Sequence, residues 1–322
     1  MKKILVTGAG GFIGGHLVKE LLNRGYLVKA TDIKPFGEWY QCFEKVENLE
    51  LDMTIKENCY KATEGMDYVI NMACNMGGMG FIENNKALCM LSVLVNTHML
   101  MACKKFKIKK YFFSSSACAY NTDLQKDPKI TGLKESDAYP AMPEDGYGWE
   151  KLFSERMCRH FLEDYKLEVR IARYHNVYGP YGTWEGGREK APAALARKFL
   201  EIKYKKKNYL EIWGNGEQLR SFMYIDDCIK GTNLLFRSNF KKPINIGVSS
   251  FVSINQLVNI LEKITGLKPK RKYILNAPRG VTTRSSNNAL IKSVLKWEPT
   301  ISLVNGMKKT YDWIEHEFKR KT

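Results

Sequence analysis

No Cys-x-x-Cys pair occurs among the eight cysteines, at positions 42, 59, 74, 89, 103, 118, 158 and 228. Most lie inside apolar runs, as reduced core thiols do, which argues against a disulfide framework and predicts a reducing, cytoplasmic setting. The five histidines are scattered without metal-ligand spacing, so no metal is expected. No run of 18 or more apolar residues occurs, so no membrane helix is expected either. Met1-Lys2-Lys3-Ile4-Leu5-Val6 begins like a secretory leader, but Thr7 and the glycines break it and no small-residue cleavage site follows. Ile4 to Val6 therefore reads as a buried first strand. Internal repeats, low-complexity segments and a flexible linker are also missing.

What is present suits a folded protein. The 322 residues are 44% hydrophobic and 12% aromatic, which supplies a core and excludes a disordered chain. The length fits two lobes or one large α/β unit. Lys and Arg number 51 against 34 Asp and Glu, a net charge of +17. Runs such as Lys203-Tyr204-Lys205-Lys206-Lys207 and Lys268-Pro269-Lys270-Arg271-Lys272 read as solvated faces. No nucleic-acid motif accompanies them, so no nucleic-acid partner is expected. A basic surface also suits a small anionic substrate.

The first 175 residues alternate short apolar runs with helical patterns. Strands are predicted at Ile4–Thr7, Leu27–Thr31, Leu49–Leu51, Tyr68–Met72, Tyr111–Ser115 and Val169–Arg173. Helices are predicted at Phe12–Leu22, 86–105 and Tyr147–Phe161. Alternation of this kind implies an α/β fold, a doubly wound parallel sheet with helices on both faces. Residues 178–192 are Gly- and Pro-rich and read as a long loop. Short strands near Leu210–Trp213, Ser221–Tyr224 and Pro243–Ile246 then mix with helical patterns at 193–200, 225–236, 253–264, 287–294 and 304–318. The expected division is a first domain over 1–175, with segments of about 218–247 returning to it, and a smaller α+β lobe from 176–217 and 248–322.

Gly8, Gly11 and Gly14 sit directly after the first strand and open a helix through Phe12 and Ile13. Small residues there allow a tight turn and close approach of a pyrophosphate, and the helix N-terminus adds N–H donors and partial positive charge. Asp32 ends the second strand about 20 residues on, where a carboxylate receives ribose hydroxyls and repels a 2′-phosphate, favouring NAD over NADP. Lys34 nearby weakens that preference. Asp52 reads either as an adenine contact or as a turn residue. Tyr147 and Lys151 share one helix face at i and i+4, where an ammonium favours the phenolate and can also hold a ribose. Ser116 lies at the end of the fifth strand, where such sheets bind ligands, and is placed to bond a substrate hydroxyl. Cys118, two residues on, reads equally as a buried small hydrophobe or as a group reaching the sugar. Lys190, in the long loop, reads by default as a solvated lysine and otherwise as an acid or phosphate ligand.

With these residues in place, the chain resembles the extended short-chain dehydrogenase/reductase superfamily, and within it the GDP-mannose 3,5-epimerase family. The matching stretches are Asn75–Phe81, Ser115–Cys118, Glu135–Ala138, Tyr147–Lys151, Arg173–Pro180, Gly182–Ala194, Trp213–Gly216, Gln218–Phe222 and Asn245–Gly247. The likeness as a whole runs from about residue 3 to about 316. The blocks Gly77–Phe81 and Gly182–Ala194 are far more specific than the glycine fingerprint.

The resemblance implies a Rossmann-type nucleotide domain, a homodimer, and bound NAD that oxidises C4 of the sugar while Tyr147 takes the hydroxyl proton. It implies that Lys151 lowers the Tyr147 pKa, and that Cys118 as base and Lys190 as acid exchange protons at C3 and C5 before C4 is reduced again, giving GDP-L-galactose. The implied cofactor contacts add Ala73 to the glycine turn, Asp32, Asp52, Tyr147 and Lys151. The implied substrate contacts are Gly77, Ser116, Cys118, Asn176, Glu189, Lys190, Lys198, Gln218, Arg220 and Arg284, with Lys198, Arg220 and Arg284 suited to a diphosphate. A 4,6-dehydratase carries an Asp-Glu pair where this chain has Ala117-Cys118, which argues against deoxygenation. The family's Gly-Val-Arg-x-Arg pattern is here Gly280-Val281-Thr282-Thr283-Arg284, and Tyr120-Asn121-Thr122 departs from a usual Tyr-Pro. These departures leave the particular GDP-sugar open, a nucleotide-sugar 4-epimerase or C4 oxidoreductase acting on another GDP-sugar, such as a GDP-heptose, being the alternative.

Overall fold

The computed structural model describes residues 1–126, 132–277 and 280–321. Six strands in the first half, β1 (Lys3–Thr7), β2 (Leu27–Asp32), β3 (Glu47–Glu50), β4 (Tyr68–Asn71), β5 (Lys110–Ser116) and β6 (Glu168–Tyr174), join Pro243–Ile246 in one sheet. The order is Pro243–Ile246, β6, β5, β4, β1, β2, β3, and every pairing is parallel. The chain starts mid-sheet at β1, runs outward to β3, then returns to the other side through β4. This reversal beside β1 opens a crevice at the carboxyl ends of the strands, where ligands of doubly wound folds bind.

The central strands are apolar runs because helices cover both faces. In β1, Ile4 and Val6 pack into one apolar cluster and Leu5 into another, as alternation of side chains requires. On the first face lie α1 (Phe12–Asn23) and α8 (Ile225–Arg237). The second is covered by α2 (Lys56–Thr63), α5 (Val93–Lys105) and α6 (Asp145–Tyr165). The first cluster continues without a break into α7 (Ala191–Lys205), α9 (Ile254–Thr265) and α11 (Leu303–Lys321), through Leu195, Phe199, Leu257 and Met307. Helix α9 is bounded as its sequence dictates, by a Ser253/Gln256 capping box and by Gly266 at φ 74°.

The predicted helix 86–105 is two helices, α4 (Lys86–Met90) and α5, separated by a turn at Leu91-Ser92, and α3 (Met79–Asn84) precedes them. By length and composition Lys86–Lys105 is apolar enough to cross a membrane, with a mean hydropathy of 1.4. Here α4 packs on α6, and α5 lies between α2 and α6. The predicted strand at Ser221–Tyr224 is two short ones, Leu219–Arg220 and Met223–Tyr224. The first pairs with Val252–Ser253 and with Thr283–Arg284, which carries Arg284 to the mouth of the crevice.

Candidate active site

The turn after β1 admits nothing but glycine at two positions. Gly8 has φ +69°, and a Cβ on Gly14 would lie 2.1 Å from the Gly8 carbonyl oxygen. Helix α1 begins with Gly11 as N-cap, without a side-chain cap and without an acidic residue in its first turn. Its positive end is thus open to an anion, as a pyrophosphate requires. Asp32, 7% exposed at the end of β2, accepts the Lys34 backbone N–H at 3.1 Å, while Lys34 Nζ donates to the Gly10 carbonyl. Ala73 borders the turn from β4, its backbone nitrogen 2.8 Å from where a Gly8 Cβ would stand. These residues fit NAD. Asp52 also caps a turn: its Oδ1 accepts both the backbone N–H and the hydroxyl of Thr54.

A cavity of about 300 Å³ opens beyond the ends of β4 and β5. Ser116, Cys118 and Tyr147 line it on the sheet side, and Lys190 enters from the loop before α7. Gly77, Asn176, Glu189, Lys198, Gln218, Arg220 and Arg284 complete the predicted set, so every expected substrate contact reaches this one space. Trp213, unforeseen in that role, forms part of its wall. The two specific sequence blocks meet here: the Gly78 N–H donates to the Arg188 carbonyl at 3.0 Å, and the Arg188 guanidinium stacks 3.9 Å from the Phe81 ring centroid. Asn176 holds φ +39°, and its buried Nδ2 has no hydrogen-bond partner, which leaves a donor for a ligand.

Electrostatics in the cavity depart from expectation in three places. Tyr147 bonds to Ser116, yet burial pushes its phenol well above the usual range, reinforced by Cys74, Cys118 and Glu150. Lys151 does not reverse this, because its Nζ is paired with Glu150 Oε2 at 3.3 Å and contacts Cys74. Burial likewise pushes the Cys118 thiol up to about 11, with Arg284 opposing and Glu144 adding to the rise. Arg284, expected on a diphosphate, lines the cavity at 5% exposure with its guanidinium held by protein groups. Its Nε donates to Gln125 at 2.7 Å, its Nη1 to Cys118 Sγ at 3.3 Å, and its Nη2 pairs with Glu144 at 2.8 Å. Lys190 is displaced the other way: burial lowers its ammonium, which eases proton donation near neutrality. Burial lowers Lys198 too, its Nζ on the Glu211 carbonyl, and brings Arg220 down to about 10 with help from Arg284. Glu144 and Gln125 were not foreseen. No local motif marks them, since both matter only through contact with a residue more than a hundred positions away.

The profile of the NAD dependent epimerase/dehydratase family matches residues 4–247. GDP-mannose 3,5-epimerase from Arabidopsis thaliana is 42% identical over 321 residues, covering 99% of this chain and 83% of that one. The chain belongs to the GDP-mannose 3,5-epimerase family, within the NAD-dependent epimerases and dehydratases. GDP-mannose 3,5-epimerase 1 from Oryza sativa subsp. japonica is 41% identical with the same coverage. Among solved structures, UDP-glucose 4-epimerase from Thermotoga maritima with UDP-glucose superposes at a TM-score of 0.86, with 26% identity, covering 98% of this chain and 99% of that one. UDP-glucuronic acid 4-epimerase from Bacillus cereus, in complex with UDP-glucuronic acid and NAD, gives 0.82 and 28% with the same coverage. As a family member the chain is an isomerase with NAD as cofactor.

Proposed function

We propose that this epimerase acts on GDP-mannose, inverting C3 and C5 to give GDP-L-galactose. The observation that carries the reading is the presence of Cys118 and Lys190 in the same cavity as Tyr147 and Ser116. A plain C4 epimerase needs the tyrosine and serine and has no use for a second acid/base pair. Sequence kinship to enzymes named for GDP-mannose supports the substrate.

Ser116 and Tyr147 bind the C4 hydroxyl, and Tyr147 takes its proton. Lys151 stabilises the phenolate from i+4 and holds the cofactor ribose. Bound NAD would supply a reversible two-electron acceptor for C4. With C4 a ketone, the hydrogens at C3 and C5 become acidic, because the electron pair left behind delocalises onto the ketone oxygen. Cys118 removes such a proton as thiolate, and Lys190, entering from a different element, delivers one as ammonium. Return of the Tyr147 proton to the C4 oxygen closes the cycle with no net redox change. Asn176, Glu189, Lys198, Gln218 and Arg220 surround the nucleotide end, where the cations suit a diphosphate.

The test is incubation with GDP-mannose and NAD+ in D2O, followed by NMR and mass analysis. Deuterium at C3 and C5 with a galactose-configured product is the expected result. Bound NAD with neither label nor product would overturn the substrate assignment. The structural neighbours named as 4-epimerases favour a second reading, C4 chemistry on another GDP-sugar, in which Cys118→Ala leaves turnover intact.

The same reading includes a homodimer. Met90, Leu94, Trp149 and Phe153 leave an exposed apolar face on α4, α5 and α6, with α4 and α5 each packed on α6. Burial of that face against a second copy predicts twice the chain mass by sedimentation, and Phe153→Glu should return a monomer.

A further inference from the structure

Three side chains from three elements meet beneath the cavity: Cys118 after β5, Glu144 directly before α6, and Arg284 in the strand Thr283–Arg284. They are 7%, 7% and 5% exposed. One guanidinium serves the other two, donating to Cys118 Sγ at 3.3 Å and pairing with Glu144 Oε2 at 2.8 Å. The second approach is close but poorly aligned for a hydrogen bond, so it acts as an ion pair. The backbone fixes the arrangement. The Glu144 N–H donates to the Cys118 carbonyl at 3.0 Å, and Gly148 lets α6 approach so closely that a Cβ there would lie 2.3 Å from the same oxygen. Cys118 and Arg284 line the cavity, whereas Glu144 is not part of its wall.

We propose that Glu144 is a positioning residue: by sharing Arg284 with Cys118, it governs how readily that thiol gives up its proton. The proposal rests on Cys118 being the base. A carboxylate beside the sulfur opposes a second negative charge there, and it also draws toward itself the cation that would stabilise the thiolate. Burial raises the Glu144 carboxyl, but Arg284 outweighs this and holds it below its ordinary value, so the carboxylate stays charged in the working range. The other groups facing Cys118 are Tyr147 on α6, Lys190 before α7 and Arg220 in Leu219–Arg220. Of these, Arg220 also faces the Glu144 carboxylate, so removal of that charge leaves its cation to the sulfur as well. A neutral side chain in place of Glu144 leaves the Arg284 charge with no carboxylate competing with the sulfur for it.

Iodoacetamide reacts with the thiolate, so its rate at Cys118 reads the proton directly and needs no substrate. The full-length protein with NAD+ would be alkylated at several values between pH 6 and 9, and Cys118 followed by peptide mass mapping. Glu144→Gln, which conserves volume, should alkylate about tenfold faster at each pH, equivalent to about one pH unit. Glu144→Asp, whose carboxylate retreats by one methylene, should fall between Gln and wild type. The alkaline limb of C3/C5 deuterium incorporation should move to lower pH in the same order, with KM for GDP-mannose unchanged. Equal or slower alkylation in both variants would overturn the proposal. Faster alkylation with no deuterium entering GDP-mannose in the wild-type enzyme would support the Glu144 assignment while removing GDP-mannose as substrate.

Discussion

Glu150 and Lys151 are consecutive on α6 and still pair with each other, Nζ to Oε2 at 3.3 Å, with both side chains 1% exposed. Ser154 donates to the other carboxylate oxygen at 2.9 Å. Removal of the lysine alone strands a carboxylate in the interior. Lys151→Met should therefore cost about 3 kcal/mol of stability as well as activity. The double variant Glu150→Gln/Lys151→Met removes both charges and should recover most of that stability while remaining inactive. Urea unfolding at pH 7 separates the two effects. Equal destabilisation by the single and double variants would show that the pair is not energetically coupled.

The glycine turn makes a sharper prediction about the cofactor. A Cβ on Gly14 would sit 2.1 Å from the Gly8 carbonyl oxygen, an impossible contact, so Gly14→Ala must displace either the turn or α1. NAD affinity should fall at least about tenfold, or about 1.4 kcal/mol. Trp39 gives an intrinsic fluorescence probe, because its indole packs where a Gly10 Cβ would stand. Gly25→Ala is the control. Gly25 has φ +78° with nothing within 4 Å of an added Cβ, so it should lose about 1 kcal/mol of stability and leave NAD binding unchanged.

Legibility of the sequence followed the range of the interactions. Local periodicity was enough for β1, α1 and Pro243–Ile246, whose bounds differ from expectation by no more than one residue. The break at Leu91-Ser92 was not legible, because Met90 to Met101 is mostly apolar and no Gly or Pro interrupts it. The expected substrate contacts all line the cavity, most of them from within the family blocks, while Trp213 in its wall was not foreseen. The charge states were not legible. Tyr147 was expected to be activated by Lys151 and Cys118 to serve as a base, yet burial pushes both upward, and Lys151 and Arg284 are each already paired with a carboxylate. Desolvation and the Glu144 contact depend on tertiary packing, which spacing along the chain does not encode.

Separation of the acid/base pair from the redox pair predicts two distinct failures. Cys118→Ala and Lys190→Met should each lower deuterium incorporation at C3 and C5 by about a hundredfold or more. Both should retain oxidation at C4, seen as absorbance at 340 nm when GDP-mannose is added to the NAD-loaded protein. Tyr147→Phe should lose both signals, because without C4 oxidation the C3 and C5 hydrogens are not acidic. Loss of the 340 nm signal in Cys118→Ala would place the thiol in the C4 step instead.

His175 gives the pH dependence of stability. Its ring is fully buried, Nε2 donates to Asn245 Oδ1 at 2.8 Å, and Nδ1 has no partner. Burial, with Arg284 and Arg173 nearby, lowers its pKa to about 3. In the unfolded chain the imidazole takes a proton below about pH 6.5, while in the folded chain it stays neutral down to about 3. Between those values the unfolded state binds one more proton, so stability contributed at this site is complete above pH 6.5 and falls as pH falls, by about 1.4 kcal/mol per unit. Carboxylates also titrate in this window, so the comparison must be with a variant. His175→Gln keeps an amide donor for Asn245 but cannot take up a proton. Its stability relative to wild type, from urea unfolding at pH 7, 6, 5 and 4, should rise steadily toward acid. A constant difference across that range would mean that the folded imidazole accepts its proton as readily as the unfolded one.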